Sequence, residues 1–166
     1  MPILPSRQRN VGASRLFIGQ GNCASCHNGP LFTDNAFHNL GLQSMSADVD
    51  SGRRAAVEQL ASDPFNCLGP FSDAKPAQCA DLNFMETTSP DLFGAFRSPS
   101  LRGVAQRPPY MHAGQFATLH AVIDHYNNAP IASFGRSELK PLQLSDQQIA
   151  DIESFLATLN PSPPAP

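Results

Sequence analysis

The sequence predicts a mostly α-helical domain with long ordered loops, and three observations support this fold class. Two segments near the carboxyl end carry apolar residues at helical spacing, each behind a residue that commonly begins a helix. No segment of comparable quality shows the alternation of a half-buried strand. The chain of 166 residues contains 16 prolines and 11 glycines but only 15% charged residues, a composition typical of short helices joined by ordered loops.

Two helices are predicted in the first half of the chain. Residues 12–22 form the first, and the turn Asn28-Gly29-Pro30 follows it because Pro30 cannot continue a helix. The second covers residues 53–60, and the stretch 61–99 after it is mostly irregular and longer than an ordinary connection. The inward residues of the first helix are Leu16 and Phe17.

Two helices in the second half have clearer signals. Thr118 is a good N-cap for the first of them, and Ser145 with Gln148 forms a capping box for the second, which the pair Asn160-Pro161 ends. Each helix has one apolar face, so both are expected to pack against a core. The apolar positions are Leu119, Val122, Ile123 and Tyr126 in the first helix and Ile149, Ile152, Phe155, Leu156 and Leu159 in the second.

These elements indicate one domain over residues 12–160, with an N-terminal extension over 1–11 and a Pro-rich tail over 161–166. The net charge of −3 gives no electrostatic basis for binding nucleic acid. No apolar run approaches the length that spans a membrane. The first residues lack a charged segment followed by an apolar one, so we expect no export signal in this sequence.

The strongest functional signal is the segment Cys23-Ala24-Ser25-Cys26-His27. Two cysteines at this spacing can each add across a haem vinyl group, and the adjacent histidine then becomes the proximal iron ligand. A four-cysteine zinc site would need a second close pair, which Cys67 and Cys79 do not form. A thioredoxin-like redox pair would need a preceding strand. The sequence therefore predicts one covalently attached haem c.

Cys67 and Cys79 flank a stretch rich in proline, glycine and serine that has little apolar content. A disulfide between them would fasten a loop that cannot pack by itself, and two buried thiols are the alternative. Haem attachment to a C-x-x-C-H segment normally follows export in bacteria. We therefore expect the mature chain to be periplasmic or otherwise exported.

Further segments follow the haem motif in a fixed order, and with it they make up residues 23–34, 37–41, 50–53, 94–102 and 109–114. Together these segments resemble the C-terminal haem domain of bacterial dihaem cytochrome c peroxidases and their MauG-like relatives. The resemblance implies a cytochrome c-like haem fold over roughly residues 12–160. The family carries two C-x-x-C-H motifs in two domains, whereas this chain has one and has no tryptophan for an inter-haem relay.

The function depends on the ligand opposite His27, because the axial ligand sets the redox potential and the access to iron. In the peroxidases a methionine lies on the helix after the segment matched by 109–114, and the resemblance puts Tyr126 at that place, where MauG has a tyrosine. Tyr126 also lies on the apolar helix face. Met111 is the alternative ligand, and a core tyrosine bonded to a propionate or the backbone is the alternative role for Tyr126.

Four other residues are expected around the haem. By analogy with cytochromes c, the carbonyl of Pro30 accepts the second ring N–H of His27. Arg97 and Arg102 are expected to pair with haem propionates, and a surface salt bridge is the alternative for each. His112 resembles a family histidine near the haem edge, where it would contact a propionate or the domain interface.

The leading hypothesis is a single c-type haem electron-transfer domain, the electron-entry half of a dihaem peroxidase-like protein. Its expected partners are a second haem domain and an electron-donor cytochrome or cupredoxin. The alternative is part of an active hydrogen-peroxide-reducing peroxidase or MauG-like oxidase, and a non-catalytic haem-binding or sensor module is a third class. We expect no catalytic residue in the chain, because no Glu or Asp is placed by motif beside the distal face.

Overall fold

The computed structural model describes residues 6–45 and 49–160, and these residues are mostly helical or irregular. Helices make up 39% of the chain, so the prediction of a mostly α-helical fold is confirmed. The described α-helices are α1 (Ser6–Ile18), α2 (Arg53–Ser62), α3 (Ala80–Asn83), α4 (Leu119–Asn128) and α5 (Asp146–Thr158). Short 3-10 helices cover Cys23–Ser25, Pro76–Cys79, Pro90–Leu92 and Val104–Gln106.

Two short strands, β1 (Phe37–His38) and β2 (Phe96–Arg97), pair in a small sheet that the sequence does not predict. A strand of two residues is too short to show an alternating pattern, so no sequence signal marks it. The predicted tail over 161–166 and residues 1–5 of the predicted extension lie outside the described residues. No helix in the described ranges is long and apolar enough to cross a membrane.

The chain divides into two compact units. The first unit contains the described residues up to Phe37, the segment Arg97–Pro130 and the residues from Leu139 onward, and the second contains His38–Phe96 and Ile131–Glu138. Nothing in the sequence pattern signals this division of the stretch 12–160. Every residue that the sequence assigns to the haem lies in the first unit.

The first unit is built around α1, α4 and α5. The Thr118 side chain accepts a hydrogen bond from the Ala121 amide, and Ser145 and Gln148 form the predicted capping box. Both helices therefore begin where the sequence indicates. The buried core that they share consists of Phe17, Leu101, Ile123, Leu144, Ile149, Ile152, Leu156 and Leu159.

Helix α1 begins earlier than the predicted helix over 12–22. It also ends earlier, because glycines follow Ile18. Glycine is a poor helix former, and the chain turns over residues 19–22. At Gly21 a Cβ atom would lie 2.8 Å from the Leu16 carbonyl oxygen and 3.3 Å from the Cys23 sulfur, so the close approach requires a glycine. The haem motif therefore follows on a turn rather than on the helix itself.

The second unit contains α2, which matches the helix predicted over 53–60. Its buried Asn39 donates side-chain hydrogen bonds to the carbonyls of Phe93 and Phe134, at 2.8 and 2.9 Å. These hydrogen bonds join the segments around Phe93 and Phe134, which are mostly irregular. Cys67 and Cys79 form a disulfide in the same unit, as the sequence predicts.

Candidate haem site

The haem motif forms a tight turn whose backbone is hydrogen-bonded to itself. The His27 amide donates to the Cys23 carbonyl at 2.9 Å, and the Asp34 amide donates to the Cys26 carbonyl at 2.9 Å. Cys23 and Cys26 are thiols and are not joined in a disulfide. The Cys23 side chain is partly buried and packs against the core of the unit, and this burial raises the pKa of its thiol to about 11.

One ring nitrogen of His27 is held by the backbone. Its Nδ1 atom lies 3.1 Å from the Phe32 carbonyl oxygen. A carbonyl oxygen can only accept a hydrogen bond, so this contact assigns the ring proton to Nδ1 and makes Nε2 the nitrogen available to a metal. The proximal role predicted for His27 fits this tautomer.

The role predicted for Pro30 is wrong in its detail, since the carbonyl that receives His27 belongs to Phe32. The Pro30 carbonyl instead accepts hydrogen bonds from the Arg102 Nε and Nη2 atoms, at 3.0 and 2.7 Å. The reason lies in the turn, because Gly29 and Phe32 both have positive φ angles, of 68° and 53°. These angles turn the chain so that Phe32 rather than Pro30 presents its oxygen to the ring.

The structure brings Tyr126 of α4 to the haem motif. Burial, and then the nearby Cys23 and Cys26, raise the pKa of Tyr126 above its usual range. Tyr126 is half-buried, and its hydroxyl can both donate and accept a hydrogen bond.

Met111 and His112 lie on a loop that Tyr110 and Phe116 close by hydrogen bonds between their backbones, at 2.7 and 3.4 Å. Met111 is half-buried and has a φ angle of 70°, and His112 is exposed. The His112 Nε2 atom lies 3.4 Å from the Gln115 side-chain nitrogen. The alternative ligand role of Met111 and the haem-edge role of His112 stay predictions.

Arg97 and Arg102 are both exposed. Arg97 donates a hydrogen bond to a neutral side chain, and Arg102 donates hydrogen bonds to a backbone carbonyl. Arg97 donates to the Asn35 side-chain oxygen at 2.8 Å, and Arg102 donates to Pro30. Among the described residues neither guanidinium pairs with a carboxylate, so the surface salt bridge is not what the structure shows for either. Their pairing with haem propionates stays a prediction.

The donor set fits a covalently attached haem. Cys23 and Cys26 are two thiols at attachment spacing, His27 has its proton fixed on Nδ1, and Tyr126 is close enough to both thiols for them to raise its pKa. Zinc would require more thiols or imidazoles than this cluster contains.

Two contributors escape sequence reasoning. Phe32 acts through its backbone carbonyl, which leaves no residue-type signature in a sequence. Ser98 has its Oγ atom 3.5 Å from His27 Nδ1, and it donates to the Cys26 carbonyl at 3.4 Å. Ser98 lies inside the matched segment 94–102, and this position was the signal from which its contact with the haem motif could have been predicted.

Comparisons with known proteins agree with this site, although no family model matches the chain. The chain is 34% identical over 160 residues to cytochrome-c peroxidase IdrP1 of Denitromonas iodatirespirans, covering 90% of the chain and 39% of that protein. It is 34% identical over 154 residues to methylamine utilization protein MauG of Methylorubrum extorquens, covering 90% of the chain and 34% of that protein. The chain belongs to the cytochrome c peroxidase and MauG-like family.

A solved structure supports the same assignment. A MauG-like protein associated with microbial copper homeostasis has a TM-score of 0.61 and 26% identity, covering 97% of this chain and 48% of that chain. The chain spans 39% of the length of the IdrP1 relative and 34% of the length of the MauG relative. The resemblance stated from the sequence is therefore confirmed.

Proposed function

We propose that the chain is a c-type haem electron-transfer domain that forms the C-terminal, electron-entry half of a dihaem peroxidase-like protein. The observation that carries this proposal is the haem motif, in which Cys23 and Cys26 are thiols and His27 Nδ1 lies 3.1 Å from the Phe32 carbonyl, with Tyr126 near both thiols. A side chain at the sixth position of the iron favours electron transfer, because it occupies the place that a substrate would need.

Each site residue has a defined role in this proposal. Cys23 and Cys26 would attach one haem c through thioether bonds, and His27 would hold its iron through Nε2. Tyr126 would be the distal ligand, with Met111 as the alternative. The haem would supply one-electron redox chemistry, and His27 and Tyr126 would hold it so that little rearrangement accompanies each change of charge.

The partners follow from the fraction of the relatives that the chain matches. Because the chain spans 39% of IdrP1, we assign a second haem domain as the electron acceptor. A small electron-donor cytochrome or cupredoxin supplies electrons one at a time. The disulfide between Cys67 and Cys79 supports a periplasmic or otherwise exported location, since disulfides persist in oxidising compartments.

The names of the relatives favour one alternative, in which this domain belongs to an active peroxidase or MauG-like oxidase. Steady-state assays of the haem-loaded chain with hydrogen peroxide and a reduced cytochrome separate the two functions. We expect fast electron exchange with the reduced cytochrome and little peroxide turnover. Turnover of roughly tens per second, ordinary for an enzyme, would favour the peroxidase alternative.

A further inference from the structure

Arg102 holds the loop that follows the haem motif at two points. Its Nε and Nη2 atoms donate to the Pro30 carbonyl at 3.0 and 2.7 Å, and its guanidinium carbon lies 4.9 Å from the centre of the Phe32 ring. Between these points, the Ser100 hydroxyl donates to the Leu31 carbonyl at 2.7 Å. Residues 30–32 are thus fastened to residues 100–102 through each of three consecutive positions.

Phe32 has a backbone conformation that a bulky residue rarely adopts. Its φ angle is 53°, and surrounding contacts must maintain such an angle. The Phe32 ring packs with Phe17 and Phe155, at centre-to-centre distances of 6.1 and 6.2 Å. These aromatic contacts and Arg102 hold the residue in the conformation that presents its carbonyl to His27 Nδ1 at 3.1 Å.

We propose that Arg102 is a positioning residue for the axial ligand His27, which it acts on by fixing the Phe32 carbonyl as acceptor of the His27 Nδ1–H. This inference rests on the proposed haem function. Donation from Nδ1–H makes the imidazole a stronger electron donor through Nε2, and a stronger donor stabilises ferric over ferrous iron. Arg102 thereby lowers the midpoint potential of the site, although its guanidinium engages the Pro30 carbonyl and the Phe32 ring rather than His27 itself.

The sign of this effect distinguishes positioning from simple electrostatics. A positive charge near the haem stabilises ferrous iron, so loss of the Arg102 charge alone would lower the midpoint potential. Loss of the hydrogen bond between His27 and Phe32 would raise it. Arg102 is exposed and its charge is screened by water, so we expect the hydrogen-bond effect to dominate.

The experiment compares Arg102→Gln and Arg102→Lys with the unchanged protein, all loaded with haem. Two quantities are measured, the midpoint potential and the rate at which the His27 Nδ1 proton exchanges with solvent, followed by NMR. Both variants lose the forked pair of hydrogen bonds, and Arg102→Lys keeps the charge. We expect both to raise the midpoint potential and to exchange this proton roughly fivefold faster, as loss of one ordinary hydrogen bond allows.

Two further variants complete the design. Arg54→Gln is the matched control, because Arg54 is an exposed arginine of the second unit that pairs with Glu58. It should leave both quantities unchanged. Ser100→Ala releases the Leu31 carbonyl and removes the acceptor of the Arg102 backbone amide, but it keeps the Arg102 guanidinium on Pro30, so it should shift both quantities in the same direction by less. If Arg102→Gln fails to fold, Arg102→Lys and Ser100→Ala decide the question.

Unchanged potential and unchanged proton exchange in the Arg102 variants would overturn the proposal, even if thermal stability falls. A lower potential in Arg102→Gln with no change in Arg102→Lys would overturn it in favour of a role through charge. Failure of the unchanged chain to take up haem would contradict the proposed function instead. In that case the same exchange measurement on the haem-free chain decides whether Arg102 maintains the contact between His27 and Phe32.

Discussion

At the scale of single residues, the site combines groups that the sequence reveals with groups that it hides. Cys23, Cys26 and His27 are evident because their spacing is itself the chemistry of haem attachment. The partner of His27 is hidden, because a backbone carbonyl belongs to every residue and only the turn decides which one faces the ring. The sequence therefore predicted the Pro30 carbonyl as the acceptor of the His27 ring N–H. The positive φ angle of Phe32 instead turns the Phe32 carbonyl toward the ring.

Tyr126 gives the sharpest prediction at this scale. Tyr126→Phe should change the ferric spectrum of the haem-loaded protein, because the substitution removes the only oxygen of the proposed distal ligand and leaves the ring in place. Met111→Leu is the matched control, since it replaces the thioether of the alternative ligand by a side chain of similar volume. A changed spectrum in Met111→Leu and an unchanged one in Tyr126→Phe would transfer the distal role to Met111.

At the scale of elements, local signals predicted the helices that have local causes. The caps Thr118 and Ser145 satisfy amides at the first turns of α4 and α5, so those starts could be identified from short stretches of sequence. Helix α1 ends before the predicted residue 22 because glycines follow Ile18. The packing of this turn against α5, where a Cβ atom at Gly21 would lie 3.4 Å from the Ile152 side chain, is tertiary and is not visible in residue spacing.

The capping box of α5 allows a quantitative test. Ser145→Ala should lower the free energy of unfolding by about 1 kcal/mol, because the Gln148 amide loses its side-chain partner. Chemical denaturation measures this change. The control is Ser154→Ala in the same helix, whose hydroxyl only donates to the Ala150 carbonyl. A control loss equal to that of Ser145→Ala would show that the cap has no special role.

The disulfide loop gives a second test at the scale of elements. Replacing both Cys67 and Cys79 by serine should lower the free energy of unfolding by about 3 kcal/mol, because the bond closes a loop with a sequence separation of 12. Denaturation with and without a reductant measures the effect. If reductant destabilises the double variant as much as it destabilises the unchanged chain, the disulfide is not the source of the loss.

At the scale of the whole molecule, the chain places all of its expected haem residues in one of its two units. The sequence indicated a single domain over 12–160. It did not reveal the division into two units, because each unit combines segments that are distant in sequence. The family assignment was predictable, since it depends on motifs in order, and the comparisons confirm it. The measurements of potential, spectrum and turnover all depend on one property of this unit, covalent haem.

The most direct test of that property is the mass of the denatured chain after its production with a c-type cytochrome maturation system. We predict a mass increase of one haem that survives denaturation, because thioether bonds to Cys23 and Cys26 are covalent. The variant with both cysteines replaced by alanine should lack the added mass. A denatured chain that carries no added mass, or a colourless chain that contains zinc, would contradict the account.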